Sequence, residues 1–335
     1  MTHVGRNRIA LARIIPPTTL GPVPPHTRCA SSAPLHDLGQ TVSRKHSICY
    51  KRLVEKQTIL TPLSTGPAMQ NSNRILAVLM VIWWVRAAEA QTTETAPPEK
   101  KLPMPGEVFR VEGRTAFVIP PDKKSDGATP WVWYAPTLPG LPGTEERWMF
   151  ERFTKAGIAI AGIDVGESFG SPDGRKLFSA FHRELTEKRG FAPKPVLLGR
   201  SRGGLMTLGW AVENADKVGG FAGVYPVCNI TSYPGVPKAS GAYQLKPEEL
   251  TAQLADHNPI DRLAALAKAK VPLFAIHGDI DKVVPLEANS GEVRKRYEAL
   301  GGEMQLIVPA GQGHNMWPGF FQCQELVDFV IANAK

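Results

Sequence analysis

The chain has 335 residues, 43% hydrophobic and 21% charged, an ordinary globular composition that leaves room for a large core and excludes disorder, collagen and coiled coil. Its formal charge of +8 would suggest a nucleic-acid or anionic-surface partner, but the excess lies in the first ninety residues. Residues 1–68 carry nine basic against two acidic side chains and residues 69–90 two against one, which leaves 28 of each in 91–335, so no nucleic-acid partner is expected.

Residues 1–68 are basic, Pro-rich and without sustained periodicity, and they read as a non-native or disordered extension, with Met69 as the working start. The alternative is an Arg-rich organellar presequence. Residues 69–90 have the plan of a secretory signal peptide: Arg74, the apolar run Ile75–Val85, then small residues at Ala88 and Ala90 before Gln91. Eleven apolar residues span only about 16 Å as a helix, half of a bilayer core, so no stable membrane anchor is expected. The product is expected to be secreted or periplasmic. A linker over 91–105 follows.

From Gly106 to Lys335 short apolar runs alternate with helix-period stretches, which predicts one α/β domain with a mainly parallel sheet and helices on both faces. A hairpin is expected from VFRVEG and RTAFVIPP, and then a strand at Trp131–Ala135. Thr144 is placed to cap a helix carrying Met149, Phe150 and Phe153 and closed by Gly157. A strand over Ile158–Val165 leads into the loop Asp164–Ser171, and Ser171-Pro172 opens a helix with Leu177, Phe178, Phe181 and Leu185 on one face. The loop holds Glu167, a candidate substrate residue, because ligands bind beyond the C-terminal ends of parallel strands.

The strand Pro195–Gly199 runs into Gly199-Arg200-Ser201-Arg202-Gly203-Gly204 and then a helix-like LMTLGWAVENA. Strand, G-x-S-x-G and helix in succession make a nucleophile elbow with Ser201 at its tip. Arg202 supplies the first oxyanion donor through its backbone N–H, and its side chain is open to two roles, an anion contact or an ion pair with Glu167. The second donor falls to the loop after Trp131–Ala135: Pro136 has no N–H, which leaves Thr137 or Ala135, Thr137 being favoured by position.

The next strand, Phe221–Tyr225, puts Tyr225 near the site, and the long stretch Cys228–His257 is expected to form a small cap over it. After the strand Pro272–His277, HGDIDKVVP offers Asp281 as the triad acid with Asp279 in reserve. A helix with Val293, Tyr297 and Leu300 and a strand over Met304–Val308 precede Gly311-Gln312-Gly313-His314-Asn315, where His314 is the best-placed base. Trp317 is a further candidate for contact with substrate. The chain ends in a helix with Cys323 on its apolar face beside Leu326, Val327 and Val330. Cys323 and Cys228 are expected as buried thiols or, alternatively, as a bridged pair. No CxxC, HExxH or GxGxxG pattern stands in a context that would imply a metal or a cofactor.

The order Ser201, Asp281, His314 is that of an α/β-hydrolase. GRSRGG, HGDIDKVVP and GQGHNMW resemble the nucleophile, acid and histidine motifs of that superfamily, and the chain is similar in layout over Gly106–Lys335. Within it the chain looks most similar to secreted bacterial prolyl-oligopeptidase-like and acetyl-xylan-esterase-like hydrolases. The resemblance implies an α/β-hydrolase fold and a serine esterase acting through an acyl-enzyme on small-molecule or polysaccharide-linked esters. A prolyl-oligopeptidase-like peptidase is the first alternative, and a non-catalytic binding protein on the same fold is the second.

Overall fold

A computed structural model describes residues 99–335; the extension at 1–68, the export segment at 69–90 and most of the linker lie outside the described residues. Eight strands form one sheet: β1 (Glu107–Val111), β2 (Arg114–Ile119), β3 (Trp131–Ala135), β4 (Ala159–Ile163), β5 (Val196–Arg200), β6 (Gly220–Val224), β7 (Leu273–Ile276) and β8 (Met304–Ile307). Their order is β1-β2-β4-β3-β5-β6-β7-β8. The β1–β2 hairpin joins β4 antiparallel, and every pairing from β4 across to β8 is parallel. This is the mainly parallel sheet expected of an α/β-hydrolase fold.

The helices are α1 (Arg147–Lys155), α2 (Pro172–Arg183, continued by a π-helical turn, Glu184–Lys188), α3 (Gly203–Ala211), α4 (Val236–Tyr243), α5 (Pro247–Ala252), α6 (Leu254–His257), α7 (Ala264–Lys268), α8 (Ser290–Ala299), α9 (Pro318–Phe321) and α10 (Gln324–Asn333). Strand pleating sorts the sheet's side chains between two cores. On β3, Trp131 and Trp133 pack with Phe178 and Phe181 of α2 and Trp210 of α3, while Val132 and Tyr134 face α1 and α10 through Phe150, Phe153 and Leu326. All nine residues of α3 are buried, so the helix behind the elbow is apolar all round.

Two local expectations are corrected. Thr144 does not cap α1: the helix starts at Arg147 behind Glu146, and the Thr144 hydroxyl meets only Glu145, at 3.4 Å. Cys323 is not on the face of α10 but is the residue before it, its Sγ accepting the Leu326 N–H at 3.4 Å. It and Cys228 are both buried and unbridged, and burial pushes the Cys323 thiol up to about 11.

The long segment after β6 is a run of short helices, α4 to α6, seated on an apolar cluster that includes Phe169, Leu205, Val227, Ala239 and Leu250. The Tyr243 hydroxyl donates to the Phe169 carbonyl at 3.0 Å and ties this insertion to the loop before α2. None of the described helices is long and apolar enough to cross a membrane.

Candidate active site

The site is built at the C-terminal ends of β5, β7 and β8. Between β5 and α3 the chain reverses so tightly that Ser201 adopts φ +50°, a left-handed conformation that L-residues avoid and that the surrounding packing must enforce. The flanking glycines answer to close approach. A Cβ on Gly203 would stand 2.1 Å from the Ala135 carbonyl oxygen, and one on Gly199 would stand 2.7 Å from the Thr207 hydroxyl. Ser201 is anchored on both sides, its N–H donating to the Val224 carbonyl at 3.0 Å and its own carbonyl accepting the Val227 N–H at 2.8 Å.

Ser201 Oγ lies 2.8 Å from His314 Nε2, and His314 Nδ1 lies 2.8 Å from Asp281 Oδ2. The second oxygen of Asp281 accepts the N–H groups of Val283 at 2.9 Å and Val284 at 2.8 Å. Burial alone would raise the Asp281 carboxyl, but hydrogen bonds from His277, the Val284 N–H and His314 outweigh it and hold the group at about 2. Asp281 is therefore a carboxylate at neutral pH, able to keep the His314 proton on Nδ1 and leave Nε2 free to accept the serine proton. The reserve acid, Asp279, accepts the Gln312 N–H at 3.3 Å and is not joined to His314.

His277, beneath this chain, is fully buried. Its Nδ1 pairs with the Ser290 hydroxyl and its Nε2 with the Val284 carbonyl, both at 2.8 Å, while Asp281 Oδ2 stands farther off at 3.4 Å. The shorter contacts make it chiefly a structural clamp on the loop that carries Asp281.

A pocket of about 140 Å³ opens at Ser201, walled by Pro136, Leu141, Arg200, Tyr225 and Met316 beside the reacting residues. That volume is close to what a single benzene-sized group fills. Tyr225 packs its ring on the His314 imidazole, with centroids 4.4 Å apart, as its placement near the site suggested. The remaining expected contacts fall elsewhere. Trp317 is off the pocket wall and stacks edge-on against Phe320. Glu167 does not reach the wall either, but forms an ion pair with the Arg202 side chain, one of the two roles left open for that arginine. The helices of the 228–257 insertion contribute nothing to this wall.

The Arg202 backbone N–H has no protein acceptor among the described residues, as an oxyanion donor requires. Thr137 is buried behind Pro136 with its hydroxyl donating to the Tyr134 carbonyl at 3.3 Å, which turns its side chain to the sheet and leaves its backbone N–H, the group expected as the second donor, uninvolved in that contact.

The sequence reading missed Glu146. Its side chain is 1% exposed, pairs with the Arg200 guanidinium at 2.6 Å, and accepts the Tyr134 hydroxyl and the Gly143 N–H, both at 2.8 Å. In TEERW it looks like one of two exposed acids at a helix start; only packing shows that Glu145 faces out and Glu146 in. Among the described residues no group of three or more His, Cys, Asp or Glu side chains could hold a metal ion.

A model of the prolyl oligopeptidase family matches residues 178–329, from the middle of α2 into α10. No curated protein matches the sequence. Among solved structures, a puromycin-hydrolyzing peptidase of Mycobacterium tuberculosis is similar at 15% identity and TM-score 0.53, over 68% of this chain and 39% of that one. Dipeptidyl peptidase 4 of Porphyromonas gingivalis is similar at 14% identity and TM-score 0.55, over 68% of this chain and 35% of that one. MPT51 of M. tuberculosis gives 14% identity and TM-score 0.56, over 69% of this chain and the whole of that one. The chain thus spans well under half the length of these peptidases.

Proposed function

We propose that this chain, a member of the α/β-hydrolase superfamily, is a serine hydrolase that cleaves carboxylic esters through an acyl-enzyme. The observation that carries the proposal is the unbroken line from Ser201 Oγ through His314 to Asp281, two contacts of 2.8 Å each, at a serine held in a left-handed turn. In the proposed reaction Ser201 Oγ attacks the ester carbonyl while His314 Nε2 takes its proton. The Arg202 N–H faces the developing oxyanion, and His314 then returns the proton to the leaving alcohol. Water repeats the cycle on the acyl-enzyme. The ester preference rests on the resemblance to acetyl-xylan-esterase-like hydrolases, and the small pocket suits a short acyl or a compact carbohydrate-linked group.

The match to the prolyl oligopeptidase family favours a second reading, an amide-cleaving peptidase using the same three residues. One experiment tests both. A fluorophosphonate probe should label Ser201, and Ser201→Ala should lose both labelling and hydrolysis of para-nitrophenyl acetate while keeping its melting temperature. A matched panel of esters and amides then decides between the two substrates. Unchanged ester turnover in pure Ser201→Ala would defeat the proposal. Export by way of residues 69–90 belongs to the same proposal, and N-terminal mass spectrometry of the natively produced protein tests it.

A further inference from the structure

The pocket beside Ser201 has two guanidinium groups on its wall, from Arg200 and Arg202, and no carboxylate among the described residues that line it. Arg200 is held as a fixed part of that wall. One of its N–H groups is spent on Glu146, and its other terminal nitrogen lies 3.1 Å from the Met316 sulfur, a weak acceptor at best. Its planar face lies over Phe321, with the central carbon 4.9 Å from the ring.

Glu146, behind it, is 1% exposed and so out of a ligand's reach: one oxygen takes Tyr134 and Arg200, the other takes the Gly143 N–H. The guanidinium is therefore oriented from behind, while on the pocket side its neighbours are the Met316 sulfur and the Tyr225 hydroxyl, neither of them a charged acceptor. A buried ion pair is a poor stabilising device, because desolvation consumes most of the attraction. Aiming a rigid fork of donors at a site next to a nucleophile is a purpose that does account for it.

We propose that Arg200 recognises a carboxylate on the substrate, so that the favoured esters are anionic, with the carboxylate a few bonds from the scissile carbonyl. The proposal rests on the serine-hydrolase reading and names the substrate class for that same pocket. A planar carboxylate matches the guanidinium fork with two parallel hydrogen bonds, and it needs only the flexible Met316 side chain, 46% exposed, to move aside. Arg202, paired to Glu167 at the exposed rim, is the weaker candidate for the same role.

The test compares near-isosteric ester pairs with and without the charge. Monoethyl succinate against ethyl isohexanoate places the carboxylate on the acyl side, and para-acetoxybenzoate against para-isopropylphenyl acetate places it on the alcohol side. The wild-type protein should favour the carboxylate member of at least one pair by about tenfold or more in kcat/KM, the range expected of a charge-assisted contact. Arg200→Met should bring that ratio close to one, as should Arg200→Met combined with Glu146→Gln, which avoids stranding a buried carboxylate.

No preference in the wild type overturns the proposal without needing a folded variant. A preference that survives in both variants overturns it too and passes the role to Arg202. Fluorophosphonate labelling of Ser201 and turnover of para-nitrophenyl acetate are read alongside. Labelling and neutral-ester turnover without charge preference defeat only the Arg200 assignment, whereas loss of both defeats the hydrolase reading and this proposal with it.

Discussion

Two arginines flank Ser201, one on each side, and the fold surrounds them differently. Arg200 ends a central strand, and its ion pair with Glu146 is sealed, with side-chain exposures of 14% and 1%; Arg202 opens a helix, and its pair with Glu167 stands at 36% and 43%. The buried side also contains Tyr134, Tyr225 and the Asp281–His314 contact, in which every carboxylate oxygen has a partner. The exposed side has a single pair in water. The lesson is that adjacency in sequence to the nucleophile says little about what an arginine does; its energetic weight follows from what stands behind it.

If the buried side does the chemical work, the largest effect belongs to Asp281→Asn. The amide can donate to His314 Nδ1 and so hold the imidazole in the wrong tautomer, and kcat should fall by about four orders of magnitude with little change in KM. Activity within tenfold of the wild type on para-nitrophenyl acetate would remove Asp281 from the triad. Next comes Glu146→Ala, which strands a buried guanidinium. It should destabilise the protein by about 3–5 kcal/mol, since breaking a buried pair from one side leaves its charge uncompensated. Calorimetry should show a fall in melting temperature of roughly 10 °C for a domain of this size. A change under about 1 kcal/mol would mean the pair is as inconsequential as one at the surface.

The same contrast explains what could be read from the sequence alone. Ser201, Asp281 and His314 were legible because each sits in a loop that follows a short strand rich in apolar residues, and a parallel sheet brings such loops to one end. Glu146 was not, because a carboxylate before a helix normally faces water, and its partner Arg200 lies 54 residues away. Trp317 was expected against substrate and packs elsewhere for a related reason. Nearness to His314 along the chain left the direction of its side chain to local packing, against Phe320.

Asp281 also gives the buried side a pH signature. Its carboxyl is held near 2 in the folded protein against about 4 when unfolded, so the unfolded chain takes up this proton first as pH falls. The stabilisation, about 2 kcal/mol, is complete above about pH 5 and is lost as pH drops through the folded value near 2. Urea midpoints measured between pH 6 and pH 2 should trace this limb in the wild type, and in Asp281→Asn the part due to this residue should be missing. Identical pH profiles for the two proteins would show that the carboxyl titrates normally.

The smallest effect belongs to the exposed side. Glu167→Gln removes the partner of Arg202 where water can solvate the freed charge, so stability should change by less than about 1 kcal/mol, and 1 M salt should erase most of that. The variant leaves the Arg202 backbone N–H in place, so the proposed oxyanion donor is retained and kcat on a neutral ester should stay within a few-fold of the wild type. A loss approaching that of Glu146→Ala, or one that persists in salt, would mean that Arg202 and Glu167 form a sealed pair in solution. The two sides of Ser201 would then be alike, and the contrast from which Arg200 draws its assignment would be gone.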